Sequence, residues 1–483
     1  MKVSIKLHII FLAVIAIWTT LIYSNSLDNG FHFDDLSNIK ESSNVRSFDD
    51  AWSAGMRRVV VITFYINYAL GGFDVRYYHV VNIAFHIINA FLIYFLTLVT
   101  LRRIDSDSKY ILFATPLIFA LHPLNTEPIN YIVQRTIIIC TTFYILSILL
   151  FSLSFPLNSK KIGIIRTALC WAGCLFSLTL CIFSKEVSIT LPLMLILYYV
   201  YFISANIKWF LRWFPLFLLL VIVVTIIASS MGIFESAVKQ ISHVDPLKHI
   251  FINLVAQANV AVEYLGIALL PLPSFLNVDH DVRWTDDFLN IQTLFSVSII
   301  LLLIFLLFWL FNRNRLASFA LLWMFLTHAP TSIMPRQEIM VEYRNYLPLF
   351  GFAIFVAIYL EMVFLKIKSN KVIPYAITLI MCVLFSIAVV ERNKVWKDDE
   401  TLWKDTVSKS PNKSRVHSGL AYHYYKTGRY DDAIVEAKKA IELDRSWLVP
   451  YVNLGLSYAH KKNSNGAIYW LSEVIKLYED VNA

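Results

Sequence analysis

Residues 7–35 read LHIIFLAVIAIWTTLIYSNSLDNGFHFDD. From Leu7 to Tyr23 the side chains are almost all apolar, and a short polar stretch then ends on two adjacent carboxylates, Asp34 and Asp35. The apolar run is longer than the core of a signal peptide, and no small-residue cleavage site follows it. It therefore reads as a retained first membrane span. The acid pair just beyond it is either a solvated loop end or a pair of working acids held at a membrane surface.

Working outward, apolar runs of about 18 residues or more recur along the chain, the pattern of a multi-span membrane protein. The 483 residues are 58% hydrophobic, 15% aromatic and only 16% charged, where a soluble domain carries about 25% charged residues. The expected fold class is all-α: a polytopic membrane protein of about eleven transmembrane helices. They fall near 7–25, 78–101, 110–121, 136–155, 167–183, 187–204, 211–230, 291–311, 317–329, 347–365 and 373–390. Segment 246–271 is apolar but carries Gln257, Asn259 and Glu263, and reads as a re-entrant or interfacial helix.

The formal charge is +8, and its placement is informative. Lys2 and Lys6 precede the first span. Arg102 with Arg103 and Lys109, Lys160 with Lys161 and Arg166, Lys208 with Arg212, Arg313 with Arg315, and Lys366, Lys368 and Lys371 fill short gaps two spans apart. That is the positive-inside signature of cytoplasmic loops, so the basic balance does not speak for nucleic-acid binding. The cysteines (Cys140, Cys170, Cys174, Cys181, Cys382) all lie inside apolar runs and read as core packing.

An odd span count with a cytoplasmic N-terminus places the remaining loops and the C-terminus outside. The outer loops are 26–77, 122–135, the corner Ser184–Glu186, 231–290 and 330–346. They hold the conspicuous polar residues: Asp34, Asp35, His122, Glu127, Arg135, Lys185, Glu186, His280, Asp281, Arg336, Glu342 and Arg344. Within the second span, Asn82, His86 and Asn89 can share one helix face. Each of these has an ordinary alternative, as helix cap, interhelical hydrogen bond, snorkelling pair or interfacial anchor. Together they make an acid pair and several cations on one side of the membrane, and cations there suit a lipid phosphate.

The character changes after residue 391, where ERNKVWKDDETLWKDTVSKSPNKSR is polar. Laying 414–447 on 448–481 pairs His417 with Tyr451, Leu420 with Leu454, Ala421 with Gly455, Tyr424 with Tyr458 and Ala433 with Ala467. This period resembles tetratricopeptide repeats, about two and a half of them. The division expected is a membrane domain at 1–391 and a C-terminal tetratricopeptide-repeat array at 392–483. So short an array is expected to lean on the membrane domain or on a partner.

Four motifs in order resemble a known family. NGFHFDDLSNIKESSNV resembles the first luminal loop of the transmembrane-and-tetratricopeptide-repeat O-mannosyltransferases. FALHPLNTEPINYIVQRTIII resembles their His-Pro-x-x-Thr-Glu…Arg loop, FSKEVSITLP their Lys-Glu corner, and EYRNYLPLFGF their Glu-Arg-x-x-Tyr-Leu-Pro segment. The repeat tail is shorter than in animal members, and Gln134-Arg135 stands where they have Gly-Arg. The wider group is the GT-C glycosyltransferases, which use polyprenyl-phosphate sugars on the non-cytoplasmic face.

The resemblance implies transfer of mannose or a similar hexose to a hydroxyl of a protein or glycan acceptor. Asp34 would be the general base. Asp35 would orient the acceptor or, sharing a site with Asp34, raise the pKa of one of the two. Arg135, Lys185, Arg336 and Arg344 would hold the donor phosphate, with His86, His122, Glu127, Glu186 and Glu342 as secondary polar groups. No loop has metal-ligand spacing or a Gly-rich phosphate cradle; the lipid-linked sugar is a substrate, no cofactor is required, and a divalent metal stays open. The repeats would dock the acceptor. Two rival readings are a non-enzymatic membrane scaffold presenting the repeats, and a polysaccharide polymerase or ligase using a lipid diphosphate. Short loops and a small tail favour a bacterial inner membrane with the repeats in the periplasm; an endoplasmic reticulum membrane with luminal repeats is the alternative.

Overall fold

The computed structural model describes residues 4–157, 163–204, 246–282, 289–333, 338–366 and 372–482, and among them it is built of helices and turns with no strand. Among the described residues, seven helices are long and apolar enough to cross a membrane, and three shorter apolar ones accompany them. Every expected span coincides with a helix except 211–230, which lies outside the described residues.

Helix α1 is Ile5–Tyr23, capped by Ser4 accepting from the Leu7 N–H. The long first loop is not plain coil. It holds α2 (Phe48–Ser53) and α3 (Arg58–Gly71), where the β-branched run Val59–Thr63 gives little helical signal by itself. Helix α3 forms because Val60, Phe64 and Asn67 are buried. Asp74 caps α4 (Val75–Arg103), which runs to α5 (Lys109–Leu121), the short α6 (Thr126–Asn130), α7 (Arg135–Leu153), α8 (Ile164–Ile182) and α9 (Leu191–Phe202).

Two faces emerge from the hydrogen bonds at helix ends. At one, Arg103 donates from Nε to Ser152 Oγ (2.8 Å) and from Nη2 to the Phe155 carbonyl (3.2 Å), tying the ends of α4 and α7. At the other lie the loops rich in polar side chains. Helices α11 (Ile291–Phe311), α12 (Arg315–Ile333), α13 (Pro348–Lys366) and α14 (Ile373–Val395) complete the membrane part.

Helix α10 (Pro246–Leu269) is one unbroken helix, which removes the re-entrant version of the expectation for 246–271. By length and composition Ile252–Leu269 could cross a membrane. Its bonds from Asn253 to Ala268, however, go to the loop-bearing side. Asn253 donates to the Ser332 carbonyl (2.7 Å), Gln257 to the Ile339 carbonyl (3.0 Å) and Tyr264 to the Val341 carbonyl (2.8 Å), and Ala268 accepts from His122 (3.0 Å). From Asn253 to Ala268 the helix therefore runs along that face, with Asn253, Gln257 and Tyr264 donating to carbonyls inside the protein and Glu263 exposed. It roofs an apolar cavity of about 310 Å³ walled by α11, α12 and α13.

The tail is α15 (Asp399–Lys409), α16 (Ser414–Lys426), α17 (Tyr430–Leu443), α18 (Leu448–His460) and α19 (Ser464–Asn482). Helix α15 starts with a capping box between Asp398 and Thr401. The starts of α16 and α18, Ser414 and Leu448, lie 34 residues apart, as do Tyr430 and Ser464, which begin α17 and α19. A Cβ on Gly419 would meet the Trp403 ring at 2.3 Å and one on Gly455 would meet Leu471 at 2.7 Å, so small residues let consecutive helices close up.

Candidate active-site cleft

The acid pair sits where the first loop meets the start of the tail. The Gly30 N–H donates to the Lys397 carbonyl (3.1 Å), and Asn29 donates to Asn130 Oδ1 (2.7 Å) and the Asn393 carbonyl (3.0 Å). His32 is buried, with Nδ1 2.6 Å from Asp399 Oδ1 and Nε2 2.8 Å from the Trp396 carbonyl. Both partners accept, so the ring makes both bonds only as imidazolium. Burial alone would lower the His32 pKa; the Asp399 hydrogen bond and charge, and the Trp396 carbonyl, carry it above its ordinary value.

The backbone turns at Phe33, which takes φ +47°, a left-handed conformation that costs a bulky residue roughly 1–3 kcal/mol. The turn separates the two acids. Asp34 is exposed, and its N–H donates to the Tyr131 hydroxyl (3.1 Å). Asp35 is fully buried and accepts three backbone N–H bonds, from His32 (3.0 Å), Ile132 (3.3 Å) and Val133 (2.6 Å). Burial raises the Asp35 carboxyl to about 7, against the opposing pull of these bonds. The two carboxylates do not share a site, so the expectation that one tunes the other is corrected. Asp35 clamps the first loop to the 131–133 turn, and only Asp34 reaches an open surface.

That surface is a cleft of about 80 Å³ lined by Phe33, Asp34, Glu127, Tyr131, Gln134, Val278, Asp279, Glu338, Val341, Tyr343, Trp403 and Arg415. Its walls come from the first loop, the 122–135 loop, the 270–282 and 338–346 segments, and the tail. Glu127 is buried; its Oε2 accepts from the Tyr343 N–H (2.8 Å), and burial together with the charge of Glu342 raises its pKa well above the usual range. Behind it, Glu342 Oε1 accepts from the Asn277 N–H (2.5 Å) and pairs with His280 Nε2 (3.0 Å).

The sequence-derived cations divide. Lys185 reaches the edge of the cleft: Nζ donates to Gln134 Oε1 (2.9 Å) and lies 4.3 Å from the centre of the Tyr343 ring. Arg135 is fully buried. Its Nε donates to Asn82 (2.6 Å), Nη1 to Asn67 (2.6 Å) and Thr63 (3.1 Å), and Nη2 to the Tyr78 carbonyl (2.9 Å). It braces α3, α4 and α7 and is closed to a phosphate. Arg344, nearly buried, donates to the Ile339 and Glu338 carbonyls (3.0 Å each) and closes its own loop. Arg336 lies outside the described residues.

The secondary polar residues are mostly braces. Asn89 donates to the Tyr346 hydroxyl (3.0 Å), which is 2.7 Å from His86 Nδ1, while His86 Nε2 donates to the Ala120 carbonyl (2.9 Å). His122 joins α5 to α10, and Glu186 pairs with Arg57 of the first loop (3.1 Å). Among the described residues no group of three or more His, Cys, Asp or Glu is placed to hold a metal ion. Sequence reasoning missed Asp279, Glu338, Trp403 and Arg415. The last two sit in a segment that reads as soluble repeat.

Comparison with known proteins agrees with the motifs. No family model and no solved structure matches the chain. It is 24% identical to human protein O-mannosyl-transferase TMTC3 over 92% of its length and 52% of that protein. It is 21% identical to Drosophila melanogaster protein O-mannosyl-transferase Tmtc3 over 91% of the chain and 56% of that protein. For Caenorhabditis elegans protein O-mannosyl-transferase F38B6.6 the identity is 24%, over 88% and 61%. Over about nine-tenths of its length the chain is similar to proteins named protein O-mannosyl-transferases. It is an integral membrane protein and spans about half the length of the curated relatives it matches.

Proposed function

We propose that the chain is a membrane glycosyltransferase that moves mannose or a similar hexose from a polyprenyl phosphate to a hydroxyl of a protein or glycan acceptor, on the non-cytoplasmic face. The observation that carries this is Asp34: an exposed carboxylate on the wall of a cleft assembled from the loops of one face. In the reaction, the acceptor oxygen attacks the anomeric carbon and its proton passes to the Asp34 carboxylate. The bond from that carbon to the phosphate oxygen breaks, and the polyprenyl phosphate leaves with the electron pair. The apolar cavity beneath α10 suits the lipid portion of the donor, because it borders the 338–346 segment through Asn345. Asp35 holds the first loop so that Asp34 faces the cleft.

That the relatives are named protein O-mannosyl-transferases supports sugar transfer to protein. Their animal sources fit an endoplasmic reticulum membrane, the alternative to a bacterial one. The test is transfer by purified protein from radiolabelled polyprenyl-phosphate sugars, with Asp34→Asn as the comparison. No transfer from any donor by folded wild-type protein would overturn the reading. Full activity of Asp34→Asn would instead favour a scaffold or a different base.

A further inference from the structure

We propose that Arg415, carried by the tail, is the cation that grips the phosphate of the lipid-linked sugar, so that the tail builds the donor site. The inference rests on the transferase reading above and gives that site a residue from outside the membrane domain.

The cleft wall holds four carboxylates, Asp34, Glu127, Asp279 and Glu338, and Arg415 is the one cationic side chain among its described lining residues. An anionic phosphate enters an acidic cleft only where a cation meets it, and a guanidinium offers a planar fork of five N–H donors for that purpose. Arg415 makes two ion pairs, Nη2 to Glu338 Oε1 at 2.9 Å and Nη1 to Asp279 Oδ2 at 3.6 Å, and its side chain is half-exposed. It has more donors than these two contacts use. When it turns to a phosphate, Asp279 keeps its ion pair with Lys413.

The residue is also held in place. Lys409 Nζ donates to the carbonyls of Pro273 (2.7 Å) and Leu276 (2.8 Å), and Ser410 Oγ donates to the Asp279 carbonyl (2.8 Å). Asn277 Nδ2 donates to Ser410 Oγ (2.8 Å), and Lys413 Nζ donates to the His280 carbonyl (2.8 Å). This clasp fastens residues 409–415 to the 273–280 segment. The Trp403 ring, edge-on to Phe33 with centroids 5.1 Å apart, adds a second piece of tail to the same wall. Of the four cations expected from the sequence, Arg135 and Arg344 face protein partners instead, and Lys185 bonds Gln134 at the edge of the cleft.

The test uses the full chain in lipid nanodiscs, with binding of a polyprenyl phosphate, the neutral polyprenol and inorganic phosphate measured beside transfer kinetics. Wild type is expected to bind the polyprenyl phosphate and not the polyprenol. Arg415→Gln should weaken that binding and raise the donor KM by about ten- to a hundredfold, the effect of losing a charge-assisted bond. Arg415→Lys should recover part of it. Glu338→Gln removes a competing partner and should tighten binding by about two- to fivefold, which decides the matter if Arg415→Gln does not fold. Unchanged donor binding in Arg415→Gln, with only the acceptor KM raised, would overturn the proposal and return the tail to acceptor docking. Saturation by inorganic phosphate at the same concentration, with no gain from the lipid, would overturn the lipid-linked assignment. The binding arm stands apart from catalysis: a wild type that binds through Arg415 but transfers nothing refutes the transferase reading alone.

Discussion

Replacing Asp35 by Asn tests whether the second acid is a clamp. The carboxyl is fully buried on three backbone N–H donors and titrates at about 7 in the folded chain, against 3.8 when unfolded. Its folded pKa is raised, so the native state binds the proton more tightly than the unfolded state. Stability therefore falls as pH climbs from about 4 to about 7 and is level above that. The difference is worth about 4 kcal/mol. The amide carries no charge and lacks this slope, but turns an N–H toward a backbone donor at a cost of about 1–3 kcal/mol. Asp35→Asn should therefore be the less stable protein near pH 4 and gain on wild type by about 4 kcal/mol up to pH 8. Denaturant unfolding of both proteins in detergent, across that range, measures the gap. A gap that does not change with pH would refute the buried-clamp reasoning.

Three further outcomes follow from particular contacts. The His32 imidazolium gains from Asp399 and Trp396, so its raised pKa contributes stability that is present below about pH 6.5 and lost as pH rises through the folded value; His32→Gln should cost about 1.5–3 kcal/mol at pH 5.5 and less at pH 9, by unfolding at the two pH values. Arg135→Lys cannot reproduce the fork to Asn82, Asn67, Thr63 and the Tyr78 carbonyl and should lose about 2–4 kcal/mol of stability; a raised donor KM with unchanged thermal stability would return it to the phosphate. Gly351→Ala would set a Cβ 2.6 Å from the Ala320 carbonyl oxygen and 3.0 Å from Trp323, forcing α12 and α13 apart at about 1–3 kcal/mol, seen as a lower unfolding temperature.

Much of the architecture is legible because apolar length is a one-dimensional signal: ten to twenty apolar residues between basic gaps mark a helix wherever it packs. The period of 34 in the tail is equally visible, since it reappears in the starts of α16 and α18. The first loop was less so. The run at Val59–Thr63 reads poorly as helix, and α3 forms because Phe64 and Asn67 find Tyr78 and Arg135. Charge in a loop also says little about exposure. Asp34 and Asp35 are neighbours in sequence, yet one turn at Phe33 leaves the first exposed and the second buried. Arg135 looked like a free cation because its neutral partners are 53–72 residues away. Arg415 was invisible for the opposite reason: its role depends on the tail folding back onto loops more than a hundred residues upstream.

The central claim is that Asp34 accepts the proton of the attacking hydroxyl. The most direct measurement is single-turnover transfer from a radiolabelled polyprenyl-phosphate mannose by purified wild-type and Asp34→Asn protein, with donor binding measured on the same samples. The account predicts that Asp34→Asn binds the donor as wild type does and unfolds at the same temperature, while transfer falls by about a hundredfold or more. Transfer at the wild-type rate by the folded variant would contradict it.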